Sequence, residues 1–451
     1  MVSAFSSPGK ALIAGGYLVL DPVYLSYVTA LSARMHSVVR CNRDVAYRRI
    51  SVSSPQFGGK WIYHIDQDIT EINDNNNPFL AAAVEMAMKY TQPSHPFDVD
   101  ITIFSDAGFH SQQETVVHGS TNGTKRFLYH QKPIADVAKT GLGSSACLTT
   151  VVMAAIMSQL GPASANNTNI IHNLAQIAHC RAQGKIGSGF DVATAVYGSI
   201  QYQRFVPGLI APHVQGEAAT GLVPLVDSEW DFTHNPCTLP PHVRLLMGDV
   251  AGGSETPRMV SKVLQWRKDH PEQSAKVYAD LNTANRQFIA ALSRLRDLSM
   301  SDLSSYMEGI DFFASHSVAT LDDYLEDHPD RRIEEEVPYR YFYELMESIK
   351  MIREHMKSLT AYTGADIEPM SQTLLLDECR LLPGCFGGVV PGAGGYDAIA
   401  LLVIDRAIDP IVEQTKNKRE FAHVTWLGLH EEANGLVAEN PRDYEGLPPS
   451  L

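Results

Sequence analysis

The stretch Lys139-Thr140-Gly141-Leu142-Gly143-Ser144-Ser145-Ala146-Cys147, followed by an apolar run from Leu148 to Met157, constrains this chain more than any other. Two glycines and two serines open what reads as a helix. Such a junction presents backbone N–H groups and the positive end of a helix dipole to an anion, as a phosphate cradle does. It lacks the Gly-Lys-Ser/Thr ending of a Walker A loop. Any lysine serving the phosphates must therefore come from elsewhere in the chain, which narrows the kinase folds that fit.

A chain of 451 residues exceeds one ordinary core, and two domains are expected, at 1–225 and 242–451. Between them, residues 207–242 are rich in Pro, Gly and His and read as a linker. Hydrophobic content of 44% and charged content of 19% fit a soluble globular protein. The longest apolar run is too short to span a bilayer. The N-terminus lacks a secretory pattern and the C-terminus shows no lipidation box, so a cytoplasmic protein is expected, a peroxisomal pool being the alternative. Six scattered cysteines without a CxxC pair read as reduced core residues. Cys147 in particular reads as a small residue packing the helix start. The net charge of −15 argues against nucleic acid or an anionic membrane as partner. It also means that phosphate substrates need a local cluster of cations.

Along the chain, Lys10–Ala14, the turn Gly15-Gly16 and Tyr17–Leu20 read as strand, turn, strand. Val28–Cys41 and Asp98–Phe104 read as strands, and a helix starts near Pro78. The polar stretch 105–132 reads as a long loop or hairpin. Helices are expected over 145–160 and 169–183, then a second glycine loop, Gly184-Lys185-Ile186-Gly187-Ser188-Gly189-Phe190-Asp191. Long helical patterns fill 256–382. Strands return near the end, around the loop Pro391-Gly392-Ala393-Gly394-Gly395-Tyr396-Asp397. Strands and helices mix without regular alternation, which favours two α+β domains.

Three distant glycine loops with polar neighbours suggest backbone brought close to one bulky anion, although each alone is weak evidence. One of Ser144 and Ser145 is expected to cap the helix, and Ser145 is the better placed to reach Mg²⁺ beside nucleotide phosphates. Lys10 follows Ser-Pro-Gly on a strand and suits either an edge position or a ligand. Lys185 has no apolar face to cover, which favours a ligand role. Asp191 is equally a helix cap and a catalyst. His110, Ser111 and Gln112 read as surface, on a loop that is a candidate adenine wall.

Ser7-Pro8-Gly9-Lys10, Lys139–Ala146 and Pro391–Asp397 resemble the three motifs of the GHMP kinases. The strings Ala14-Gly15-Gly16-Tyr17-Leu18-Val19-Leu20, Gln183–Val192, Gly364-Ala365-Asp366-Ile367-Glu368-Pro369 and Pro391–Ala400 extend the resemblance over nearly the whole chain, to the eukaryotic, fungal-type phosphomevalonate kinases. That resemblance implies a two-domain fold: an S5-like N-terminal domain, a ferredoxin-like C-terminal domain with helical additions, and an active site in the cleft between them. It implies transfer of the ATP γ-phosphoryl group to (R)-5-phosphomevalonate, with Mg²⁺, in the mevalonate route to isoprenoids and sterols; the sequence leaves monomer and homodimer both open.

By position, Lys139, Gly141, Leu142, Gly143, Ser144, Ser145 and Ala146 would hold the ATP phosphates, with Ser145 on the metal. Lys10, Lys185 and Asp191 would be catalytic. Lys10, Tyr17, Lys185, Ser188, Gly392, Ala393 and Gly394 would meet the acceptor, with Arg181 a further candidate cation. Mevalonate kinases carry a metal-binding glutamate about eleven residues before the aspartate; here His179-Cys180-Arg181 occupies that region. A mevalonate kinase-like enzyme and a silent nucleotide-binding sensor are the alternatives. The first conflicts with Lys185 and the missing glutamate, the second with the presence of Lys10 and Asp191.

Overall fold

The computed structural model describes residues 2–449 except 74, 113, 139, 163–166, 217–219, 251 and 254. Lys139 thus lies outside the described residues. Two sheets organise the chain. The larger has ten strands and is built around the long strand Ser26–Asn42, which pairs antiparallel with Val2–Ala14 and Phe97–Ser105. Its burial is almost continuous, as expected for a central strand covered on both faces. The one parallel pairing in this sheet joins Arg48–Ser54 to Phe97–Ser105. The smaller sheet has four antiparallel strands in the order Cys385–Val389, Ala398–Ile404, Val243–Val250, Val424–Leu427. The long helices Pro271–Ser301 and Val337–Thr363 pack together beside it. Among the described residues no helix is long and apolar enough to cross a membrane.

The architecture is α+β, and the first sheet draws on both ends of the chain. Thr233–Pro236 forms its edge, while Glu431–Glu432 and Val437–Glu439 return from the C-terminus to pair with Ser26–Asn42 and Val2–Ala14. The stretch 207–242 is not a bare linker. It holds the short helices Ala211–Gln215 and Leu222–Asp227 and buries Leu222, Val226, Trp230 and Cys237. Its Pro and Gly content masked an apolar set that the core takes up. Stretch 105–132 forms the hairpin Thr115–Gly119 with Arg126–His130.

Tyr17–Leu20 is also not a strand. Gly15 and Tyr17 both adopt positive φ, 109° and 62°, and Leu18–Leu20 winds into a 3₁₀ turn that buries Leu18 and Val19. The sequence alternation there reflects a tight turn packed on the core rather than an extended segment. All six cysteines are free, and all but the half-buried Cys41 are buried. The Cys147 thiol donates to the Pro8 carbonyl at 3.0 Å, and burial pushes its pKa up to about 12, so it packs the helix start as an inert group.

The returning C-terminal chain crosses the helix Phe190–Tyr197 at very close range. Leu436 N–H donates to the Val196 carbonyl at 3.0 Å. A Cβ placed on Gly435 would lie 2.1 Å from that same oxygen and 2.5 Å from Gly198 N, both backbone atoms that cannot swing aside. Gly435→Ala is therefore expected to destabilise the protein by about 1–3 kcal/mol or more. A clear drop in the thermal unfolding midpoint checks this; an unchanged midpoint would show that the crossing is loose.

Candidate active site

The helix Ser144–Leu160 begins at Gly143, whose φ of 83° only glycine adopts readily. Gly143 is the N-cap, and neither Ser144 nor Ser145 caps the helix. The Gly143 carbonyl instead accepts from Ala146 and Cys147 N–H at 3.1 and 3.2 Å. This leaves the Ser145 hydroxyl for another partner, His179 Nε2 at 3.0 Å. His179 is buried, stacks on Phe79 with ring centroids 5.3 Å apart, and stands 3.9 Å from Asp191 Oδ2. A residue from the stretch that lacks the glutamate thus stands between the serine and the aspartate.

Lys10 reaches the same junction from the first strand. Its N–H donates to the Leu142 carbonyl at 3.0 Å, and its Nζ donates to the Gly141 carbonyl at 2.8 Å. A Cβ on Gly143 would sit 3.1 Å from Lys10 Cε, so the second loop glycine also makes room for the lysine stem. Enclosure in the cleft lowers the Lys10 pKa, and the field of Asp191 partly opposes that shift. The two groups make no direct ion pair, so Asp191 acts on Lys10 through space.

Asp191 is the second residue of the helix Phe190–Tyr197, after the N-cap Gly189. It is therefore not the N-cap, although it stands in the first turn, where an acidic side chain suits the helix dipole. Its Oδ1 accepts the Val192 N–H at 2.9 Å, and its side chain keeps 24% of its surface exposed.

The loop 391–395 arrives from the second sheet and docks on the end of the first strand. Gly392 N–H donates to the Leu12 carbonyl at 3.1 Å, and Tyr17 OH donates to the Ala393 carbonyl at 2.8 Å. Behind it, Gly395 N–H donates to the Ile367 carbonyl at 3.0 Å. Gly394 has φ of 84°, and a Cβ there would come within 2.1 Å of that oxygen. The segment bearing Ile367 is fixed in turn by the buried pair Arg353–Glu368, 2.8 Å apart.

These elements enclose a cavity of about 240 Å³. Among the predicted residues, Lys10, Tyr17, Gly141, Leu142, Ser188, Gly392, Ala393 and Gly394 line it. Gly143, Ser144, Ser145, Ala146 and Asp191 stand beside it at the helix starts rather than on its wall. Lys185 is not brought to the wall. It follows the C-cap Gly184, its N–H donates to the Cys180 carbonyl at 3.2 Å, and its side chain is exposed with no partner among the described residues. Arg181 is committed elsewhere, to a two-pronged pair with Glu85 at 2.8 and 2.9 Å. His110 is not at the surface: it is buried against the Phe57 ring.

Sequence reasoning put Asp397 in the third motif without a role, and it lines the cavity; it missed Asp249 nearby, whose pKa is raised by burial and then by Asp397. It also missed Thr256, Val260 and Met247 on the far wall. Met247 and Asp249 lie on the strand Val243–Val250, and no local sequence signal assigned them to a site.

Comparison with known proteins fits this geometry. The family model for the GHMP kinases N terminal domain matches residues 123–199, the span of the phosphate-loop helix and the second glycine loop. A phosphomevalonate kinase from Candida albicans is 46% identical over 99% of this chain and 100% of its own length. A peroxisomal phosphomevalonate kinase from Arabidopsis thaliana is 31% identical over 98% of this chain and 96% of its own. Among solved structures, Streptococcus pneumoniae phosphomevalonate kinase in complex with phosphomevalonate and AMPPNP superimposes with a TM-score of 0.60 at 15% identity. That match covers 95% of this chain and 99% of the other. With full-length relatives at these identities and a GHMP kinase fold around its glycine loops, the chain belongs to the phosphomevalonate kinase family.

Proposed function

We propose that this enzyme transfers the γ-phosphoryl group of ATP to (R)-5-phosphomevalonate, giving ADP and (R)-5-diphosphomevalonate, and that it does so chiefly by neutralising charge. The observation that carries the reading is the Lys10 ammonium, which lines the cavity while bonded to the phosphate-loop carbonyl of Gly141. One cation thereby touches both the helix start, where ATP phosphates fit, and the cavity, where an acceptor fits.

A phosphate monoester has a second pKa of about 6, so at neutral pH the attacking oxygen is mostly ionised already. The harder task is to bring a dianion against the ATP tail. At an effective dielectric near 20, two like charges about 4 Å apart cost about 4 kcal/mol. A protein with net charge −15 adds to that repulsion at long range. Lys10 offsets it at the point of transfer, and amides at the start of the helix Ser144–Leu160 do so for the ATP phosphates. Asp191 holds the field on Lys10 and accepts a proton only when the acceptor binds as a monoanion.

The residues present fit Mg²⁺. The Ser145 hydroxyl is a hard oxygen donor in the first turn of the helix Ser144–Leu160, where the ATP phosphates fit. Among the described residues no cluster of three His, Cys, Asp or Glu forms a protein cage. Mg²⁺ needs none, because it keeps waters and substrate phosphates as ligands. Ser145 would hold the ion, which supplies further neutralisation of the ATP phosphates when bound. We also infer a cytosolic location; imaging of the tagged full chain separates it from a peroxisomal one.

Two outcomes are expected. ADP release coupled to NADH oxidation should proceed with (R)-5-phosphomevalonate and be at least about a hundredfold slower with mevalonate, whose missing phosphate leaves the cation site unfilled. ATP binding without turnover on either acceptor would point to a silent sensor, and preference for mevalonate to a mevalonate kinase. Lys10→Ala should lower kcat by about 10²–10³ or more, the scale of losing one transition-state charge contact. Lys185→Ala, exposed and off the cavity wall, should cost less than about tenfold. Equal losses in the two variants would mean that the loop 184–189 closes over the acceptor during turnover.

A further inference from the structure

Arg204 lies just beyond the strand Ile200–Gln203 and is 7% exposed. Its Nη1 donates to the Leu20 carbonyl at 2.6 Å, and its Nη2 to the carbonyls of Ile186, at 3.1 Å, and Gly187. Tyr202, two residues earlier, donates its OH to the next carbonyl, Ser188, at 2.9 Å. Three consecutive carbonyls of the second glycine loop are therefore turned toward one strand. Across a trans peptide, N–H and C=O point in opposite directions. The Ser188 N–H is consequently directed away from the guanidinium, on a residue that lines the cavity.

The guanidinium has an unusual electrostatic position. Among the described residues it forms no ion pair; its hydrogen bonds go to neutral carbonyls and it lies over the Phe205 ring, 5.9 Å from the centroid. Asp21, a carboxylate whose field reaches it, is already paired with Arg267 at 2.8 Å. A buried cation is normally paired. Here the charge is left over, directly behind Ser188 and Leu20, two residues on the cavity wall.

We propose that Arg204 is a specificity-determining positioning residue for the acceptor: its uncompensated charge and its grip on the carbonyls of Ile186 and Gly187 make the Ser188 side of the cavity attractive to the acceptor's phosphate. This rests on the reading of the cavity as the phosphomevalonate site. Arg204 does not touch the acceptor; it polarises and aims the loop that does. It also supplies positive charge where the exposed Lys185 does not.

The test is initial-rate kinetics on the full chain with Arg204→Met, Arg204→Lys and Tyr202→Phe beside wild type, with mevalonate added as a competitor lacking the phosphate. Arg204→Met should raise KM for (R)-5-phosphomevalonate by about tenfold or more while KM for ATP stays within about twofold. The inhibition constant of mevalonate should change by less than about threefold, since it offers no phosphate for the charge to recognise. Arg204→Lys, which keeps the charge but not the fork, should fall between wild type and Arg204→Met. If Arg204→Met does not fold, the acceptor-selective rise must appear in Arg204→Lys and, more weakly, in Tyr202→Phe. Equal increases for both substrates, an equal loss of mevalonate and phosphomevalonate binding, or a fall in thermal midpoint alone would overturn the proposal and leave Arg204 a scaffold. Inactive wild type with phosphomevalonate would instead overturn the functional reading on which it rests.

Discussion

The contact between Lys10 Nζ and the Gly141 carbonyl holds the site together. It joins residues 131 positions apart in the chain, one on the first strand and one in the phosphate loop. A Walker A loop carries its lysine within itself; this loop receives one from a neighbouring strand. The register of the sheet thereby becomes part of the chemistry. Lys10 stands opposite Ala30, just past an irregularity between Pro8 and Gly9 where the pairing with the central strand slips. Such a slip re-aims side chains next to functional sites. The glycines of the loop complete the fit, because a side chain on Gly143 would press on the lysine stem.

Around that contact the fold brings three separate backbones to one cavity. The first strand and the turn after it supply Lys10 and Tyr17, the helix starts supply the phosphate loop and Ser188, and the second sheet supplies Gly392–Gly394. Two of the cavity's loops, the second and third glycine loops, are braced from behind by a buried arginine. Arg353 is fully paired, with Glu368 and Asp377, and serves rigidity. Arg204 donates its hydrogen bonds to carbonyls alone. The contrast matters: paired charge fixes geometry without changing the local potential, whereas unpaired charge does both. In a chain of net charge −15, the placement of a few unneutralised cations sets where a phosphate can dwell.

Much of this was legible in the sequence because glycine marks its own constraints. Gly141, Gly143, Gly189, Gly392 and Gly394 all take positive φ at the loops that the motif strings singled out. The central strand, the phosphate-loop helix and the strand pair around the third loop follow from local apolar runs and the turn residues that bound them. Side-chain partnerships were not legible. Arg181 and Lys185 are four residues apart and both cationic, yet one is held by Glu85, a residue 96 positions away, and the other is exposed. Whether a serine caps its helix or turns to a histidine on the next one also depends on packing. Capping preference favoured Ser144 or Ser145, but a glycine took the cap and freed Ser145 for His179. The return of the C-terminus to the first sheet was hidden because Glu431–Glu432 and Val437–Glu439 are too short to show alternation.

The central claim is that charge neutralisation, not proton abstraction, carries the transfer. The direct measurement is the ratio of kcat for Asp191→Asn to kcat for wild type between pH 5.5 and 8, at saturating ATP, Mg²⁺ and phosphomevalonate. A phosphate monoester gains its second charge near pH 6. If Asp191 is needed as a base only for the monoanion, the ratio should be highest at pH 8 and fall as pH drops through about 6. A ratio equally low at every pH would contradict the account and make Asp191 an obligatory base or metal ligand.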